Sequence, residues 1–314
     1  MTTRIGVLST PDSPYLAELQ HASERIESGA LEIVPLRFQD LWVGLTSQKE
    51  LSSSELVFGC SNNSGVNHSS LTQLRLDAII VRSMPLGSLE QVIFRMDTLG
   101  AIQRQDVPIF NSPRCLEISI DKWLTLERFN AAHLPLPNTI VCQCRATAME
   151  AFEVLGCDVL VKPLFGGEGR GILRLHDKDL AWRVFGTLQQ MGQVIYVQEF
   201  VEHLGYDIRI LIIGNQYWGI KRLARAGEWR TNLSQGNLAE PHEVTDRQLQ
   251  MARAATEAVG GDIVGVDILP TRDGREVLLE VNAVPGWKGL SATLDVDIAA
   301  EVLRFVAASV ESSR

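Results

Sequence analysis

The sequence predicts an α/β protein of two or three small domains, and three observations lead there. The first hundred residues alternate short apolar runs with helical spacing, the pattern of a parallel layer. From Val159 onward, strands recur between glycine-rich breaks. A chain of 314 residues also exceeds what one hydrophobic core usually serves.

Ile5–Ser9, Glu32–Leu36 and Asp77–Val81 read as strands. Leu89, Val92, Ile93, Met96 and Leu99 then recur at spacings of three and four, which predicts a helix with one apolar face. No Gly-x-Gly-x-x-Gly follows the first strand, so the layer does not read as a dinucleotide-binding fold. Residues 45–70 are rich in Ser and Asn and read as a surface excursion, with Leu56-Val57-Phe58 giving it some internal order. A new segment opens near Asn111-Ser112-Pro113. Its helix begins around Ser119 or Asp121 and ends before Leu134-Pro135-Leu136-Pro137, where the prolines forbid continuation. Strands follow at Val159–Lys162, Ile195–Phe200, Ile208–Ile213, Ile263–Leu269 and Glu276–Asn282. Helices are predicted over 246–259, stopped by Gly260-Gly261, and over 297–310.

Composition narrows the function classes. The formal charge of −9 opposes nucleic acid as a partner. No apolar run reaches the ~18–20 residues that span a bilayer, and the N-terminus reads as a first strand rather than a signal peptide, so a cytoplasmic protein is expected. The five cysteines are irregularly spaced, and Cys142-Gln143-Cys144 fits neither a zinc nor a redox motif. Reduced thiols are expected.

Three polar residues stand out on the apolar C-terminal strands. In Glu276–Asn282 the side chains of Glu280 and Asn282 share one face, and Asp267 interrupts Val264-Gly-Val-Asp-Ile-Leu269. Such groups are costly to bury without partners. Magnesium would satisfy them, because it takes a few protein oxygens and completes its shell with phosphate and water. Backbone donors are the structural alternative. Val159-Leu-Val-Lys162-Pro-Leu-Phe-Gly166-Gly-Glu-Gly-Arg-Gly171 delivers a lysine from a strand into a glycine-dense loop, where main-chain N–H groups can turn toward phosphate oxygens. It is not a Walker A loop, since no Gly-Lys-Ser/Thr follows. Asp207 and Arg209, Lys221 and Arg222, and Arg230-Thr231-Asn232 add basic and polar sets suited to an anionic substrate.

In this order the motifs resemble the ATP-grasp superfamily, and within it the RimK-type α-L-glutamate ligases, over nearly the whole chain. The carriers are Asp121-Lys122, VLVKPLFGGEGRGI, Val197-Gln-Glu-Phe-Val201, Tyr206-Asp-Ile-Arg209, WRTNLSQG, VGVDIL and LLEVNAVPG. The resemblance implies a parallel α/β domain over 1–112 preceding a two-lobed fold, with lobes over 113–194 and 195–314. It implies ATP and two magnesium ions as cofactors, manganese being the alternative ion. Lys122 and Lys162 would contact the phosphates, with the loop of Gly167, Gly169 and Gly171 closing over them. Glu199 and Phe200 would grip adenine, and Asp207 would lie near the nucleotide. Arg230, Thr231 and Asn232 would sit at the phosphate–substrate junction, and Asp267, Glu280 and Asn282 would hold the metal. Arg209, Arg222 and Arg230 would be catalytic, stabilising an acyl phosphate or oxyanion.

The segment Val81-Arg82-Ser83-Met84-Pro85-Leu86-Gly87-Ser88 and the ending Asn282-Ala-Val-Pro-Gly-Trp-Lys-Gly289 are similar to the tetrahydromethanopterin:glutamate ligase subgroup. That implies a pterin cofactor as carboxylate acceptor and L-glutamate as the amine, with Arg82 and Ser88 facing the acceptor. Ser88 is equally readable as a plain helix N-cap. A protein C-terminus or carrier protein is the alternative acceptor, and the family implies a homo-oligomer.

Overall fold

The computed structural model describes residues 2–26, 31–47, 54–61, 71–166, 169–225, 227–230 and 238–313. The chain divides into two compact units, one of residues 1–116, 261–263 and 297–314, the other of 117–260 and 264–296.

The first unit begins with β1 (Thr3–Leu8), α1 (Pro14–Arg25) and β2 (Leu31–Leu36). An antiparallel sheet follows, of β3 (Leu41–Ser47), β4 (Ser54–Ser61) and β5 (Leu71–Gln73). The predicted surface excursion therefore carries a sheet, whose strands the Ser- and Asn-rich composition conceals. The parallel layer resumes with β6 (Ala78–Val81), α2 (Leu89–Gln103) and β7 (Ile109–Phe110), in the strand order β2-β1-β6-β7. Ile5, Val7, Leu8, Ile79 and Ile80 are almost wholly buried, the apolar run a two-sided parallel sheet requires. Ser88 caps α2 through a capping box with Gln91. That bonding gives Ser88 a structural role without any ligand.

The helix expected to begin around Ser119 or Asp121 is α4 (Lys122–Ala131), and a further helix, α3 (Pro113–Ile120), precedes it. Asp121 breaks them apart: its extended backbone starts α4 and its carboxylate accepts from Trp123 N and Leu124 N. In the second unit, β8 (Thr139–Cys142), α5 (Arg145–Val154), β9 (Val159–Lys162), β10 (Leu173–Leu175), α6 (Lys178–Gln190) and β11 (Ile195–Glu199) form a lobe. Its strands are ordered β10-β9-β11-β8, over a core that includes Phe152, Phe185 and Val197. A five-stranded antiparallel sheet makes the other lobe, from β12 (Tyr206–Ile213), β13 (Gln216–Leu223), β14 (Ala239–Pro241), β15 (Ile263–Pro270) and β16 (Glu276–Asn282), ordered β14-β13-β12-β15-β16. Between its strands lies α7 (Asp246–Val259), opened by a Thr245–Gln248 capping box and closed by Gly260 at φ 65°. α8 (Lys288–Leu294) ends the unit, and α9 (Ile298–Ser313) returns to the first unit to pack on α1. A parallel α/β layer combined with antiparallel sheets agrees with the predicted fold class.

Candidate active site

The two sheets of the second unit flank a cleft lined by charged and apolar side chains, the mixture typical of small-molecule sites. Lys122, Lys162, Gly166, Gly169, Glu199, Phe200, Asp207, Arg222, Arg230, Asp267 and Glu280 all line it. Sequence motifs spread over more than 150 residues thus converge on one cavity. Gly167, Thr231 and Asn232 lie outside the described residues.

The acidic corner is built by strand register. Asp267 on β15 pairs directly with Glu280 on β16, and Gly265 with Asn282. Alternation puts Asp267, Glu280 and Asn282 on one face. Two carboxylates directly opposite repel unless cations lie between them, and two arginines supply the charge. Arg209 from β12 donates Nε to Asp267 Oδ1 and Nη2 to Oδ2, both at 2.7 Å. Arg222 from β13 donates Nη2 to the same Oδ2 at 2.8 Å, and grips Asp207 through two bonds of 2.7 and 2.6 Å. Asp207, Arg222 and Asp267 are nearly solvent-free. A Cβ at position 265 would meet Pro285 Cβ at 3.3 Å, a tight contact, and Arg209 Nε at an ordinary 3.7 Å. Burial works against ionisation of Asp267, but the two guanidiniums outweigh it and hold the carboxyl well below its usual range. Glu280 is pushed the other way, by burial first and by Asp267 second.

This arrangement fits a magnesium ion. Glu280 keeps one-third of its side chain exposed, with Arg209 4.0 Å away and Lys162 and Lys122 acting on it at longer range. Neither its carboxylate nor the Asn282 carboxamide accepts a hydrogen bond among the described residues. Asp267 Oδ2 accepts two N–H groups, but Oδ1 accepts one, leaving a lone pair open beside Glu280. Among the described residues no group of three or more His, Cys, Asp or Glu side chains could hold an ion alone. Magnesium uses few protein carboxylates and shares the rest of its shell with phosphate and water.

The basic wall faces this corner. Lys162 is partly buried and donates to Gln198 Oε1 at 2.6 Å, while the Gln198 amide donates to Thr139 Oγ1 and Tyr196 Oη. Desolvation lowers its pKa to about 8, against the opposing pull of Glu280. Lys122, lowered by burial as well, donates to Gly166 O at 2.6 Å. Arg230 donates to Ile172 O at 2.9 Å, so cations bind carbonyls at both ends of the glycine loop. Within it Gly169 and Gly171 take φ 72° and 75°, which glycine alone adopts without strain.

Two residues are placed differently from a simple contact role. The Glu199 carboxylate accepts from Asn138 N and Nδ2, at 2.9 and 2.8 Å, and so ties β11 to the start of β8. Asp207 borders the cleft, yet both its oxygens hold Arg222. Sequence reasoning missed Gln198, His203 and Trp229, which also line the cavity. Gln198 was findable as the one polar residue among Ile195-Tyr-Val197. His203 and Trp229 sit in loops, where no periodicity marks them.

Comparison with known proteins places this cleft in context. A family model described as the RimK-like ATP-grasp domain matches residues 119–306. The tetrahydromethanopterin:alpha-L-glutamate ligase of Methanosarcina acetivorans is 30% identical over 259 residues, covering 74% of this chain and 80% of the relative. Its namesake in Methanococcus maripaludis is 34% identical over 236 residues, covering 73% and 78%. Among solved structures, the ATP-grasp ligase PsnB complexed with a minimal precursor superposes with a TM-score of 0.73 at 21% identity, over 98% of this chain and 99% of that one. At that identity the likeness is one of fold.

Proposed function

The chain belongs to the RimK-like ATP-grasp family, an ATP-dependent ligase family, and from that premise we propose that it joins L-glutamate to a tetrahydromethanopterin-type pterin. The observation that carries the acceptor class is the shared name of relatives at 30 and 34% identity over about three-quarters of the chain. The cleft supports the chemistry. Lys122, Lys162 and Arg230 offer fixed positive charge for a triphosphate, and Phe200, Leu269 and Leu279 offer apolar walls for its base. Glu280, Asn282 and the open Asp267 lone pair would hold magnesium, which when bound would neutralise the phosphoryl group in flight. Arg209, held by Asp267 and 4.0 Å from Glu280, would stabilise the acyl phosphate and then the oxyanion formed as the amine attacks it. The glycine loop would exclude water from the acyl phosphate.

The test is a screen of acceptors with labelled glutamate and ATP, read by mass. A pterin carrying a side-chain carboxylate should gain one or more glutamate residues and release ADP. Mass gained only by a peptide or protein C-terminus would overturn the pterin and leave the ligase reaction standing.

Lys162 gives a second expected result. A lysine lowered to about 8 is half-charged at that pH. A bound polyanion favours the charged form and raises the pKa, so nucleotide binding should take up protons between pH ~8 and ~10 and weaken as pH rises through that window. Calorimetry at pH 8.5 in buffers of different ionisation enthalpy should show the uptake, and Lys162→Met should abolish it.

A further inference from the structure

On β10 an arginine occupies a position that the phosphate and metal chemistry leaves unexplained. Arg174 pairs in register with Leu160, which lines the cleft, so the arginine rises from the cleft side of the sheet. Its Nε and Nη2 donate to the two Asp158 oxygens at 2.8 and 2.6 Å, a flat bidentate clamp. Its guanidinium carbon lies 3.4 Å from the centroid of the Phe200 ring. Asp158 acts twice, since its carbonyl also accepts the Phe200 N–H at 2.9 Å. Trp229 meets the same ring edge-on, with centroids 5.9 Å apart.

We propose that Arg174 is a positioning residue for the base end of the nucleotide site: held flat by Asp158, it covers the Phe200 ring and fixes the wall against which the base packs. This rests on the nucleotide-binding reading above. Its own charge is matched by Asp158, so Arg174 is not another phosphate ligand. What it supplies is a planar cation stacked on an aromatic face, a contact that lysine reproduces poorly because it lacks the fork. Phe200 was legible as a cleft residue from its strand-end motif. The arginine behind it was hidden, because β10 is three residues long and pairs across a glycine loop.

The experiment compares ADP with inorganic tripolyphosphate on the full chain by calorimetry. Arg174→Ala should weaken ADP binding roughly three- to ten-fold, the worth of one partly exposed cation–π contact, and leave tripolyphosphate binding unchanged. Arg174→Lys should behave like the alanine variant, and millimolar ethylguanidine should restore ADP binding to Arg174→Ala alone. Equal ADP affinity in wild type and Arg174→Lys would overturn the proposal. So would parallel loss of ADP and tripolyphosphate, which would mark general damage to the lobe. A wild type that binds tripolyphosphate but not ADP would overturn the nucleotide reading itself, and this proposal with it.

Discussion

Glu280→Gln should lower turnover by roughly 10²–10³-fold and leave the fold intact. The side chain is one-third exposed and accepts no hydrogen bond among the described residues, so an isosteric amide breaks no hydrogen bond and gives up only a loose 4.0 Å ion pair with Arg209. It removes one negative charge from the corner where Asp267 and Asn282 also point. If magnesium sits there, the loss falls on charge neutralisation at the transferred phosphoryl group, an effect of several kcal/mol, and each ~1.4 kcal/mol is a factor of ten in rate. A second readout separates this from general damage. Wild-type ADP affinity should rise on adding magnesium, and that increment should shrink in Glu280→Gln, with metal-free ADP binding little changed. Undiminished turnover and an unchanged magnesium increment would remove Glu280 from the metal site. Asp267→Asn is a poorer probe of the same idea, because it also breaks the bonds to Arg209 and Arg222.

The contrast between those two acidic residues marks how far sequence carries. That Glu280 and Asn282 share a face follows from a period of two along one apolar strand, whereas the β15–β16 register is what brings Asp267 to the same face. That Asp267 is gripped by arginines from β12 and β13 could not be read, because sheet order places β12 beside β15 across more than fifty residues of sequence. Non-local pairing has no local signal. The same limit hid the partner of Glu199, which is Asn138, the residue just before β8. Local chemistry was also misjudged where two rules compete. Asp121 was readable as a helix start and does open α4, but the separate helix before it, α3, was not anticipated. In residues 45–70 polar composition outweighed the short apolar core of β4.

The largest effect on stability is expected at Asp207. Arg222 is buried, with Asp207 holding it by two bonds and Asp267 by one. Asp207→Ala removes the bidentate partner and leaves a desolvated guanidinium to share Asp267 with Arg209, which should cost about 3–5 kcal/mol. Arg222→Met alone strands the Asp207 carboxylate and should cost a similar amount. Charge balance then makes a sharper claim. Removing both groups, as in Asp207→Leu with Arg222→Met, leaves Asp267 with its two bonds from Arg209 and no stranded charge. The double variant should therefore recover most of the stability lost by either single change, a coupling that a double-mutant cycle in urea would measure directly. Additive losses would mean the row is held by packing rather than by charge pairing. Recovery of the fold without recovery of ligation would carry a further consequence. Buried ion pairs are weak contributors to net stability, so a stable but inactive double variant would mean that Asp207 and Arg222 are kept for where they hold Asp267, not for the energy of the sheet.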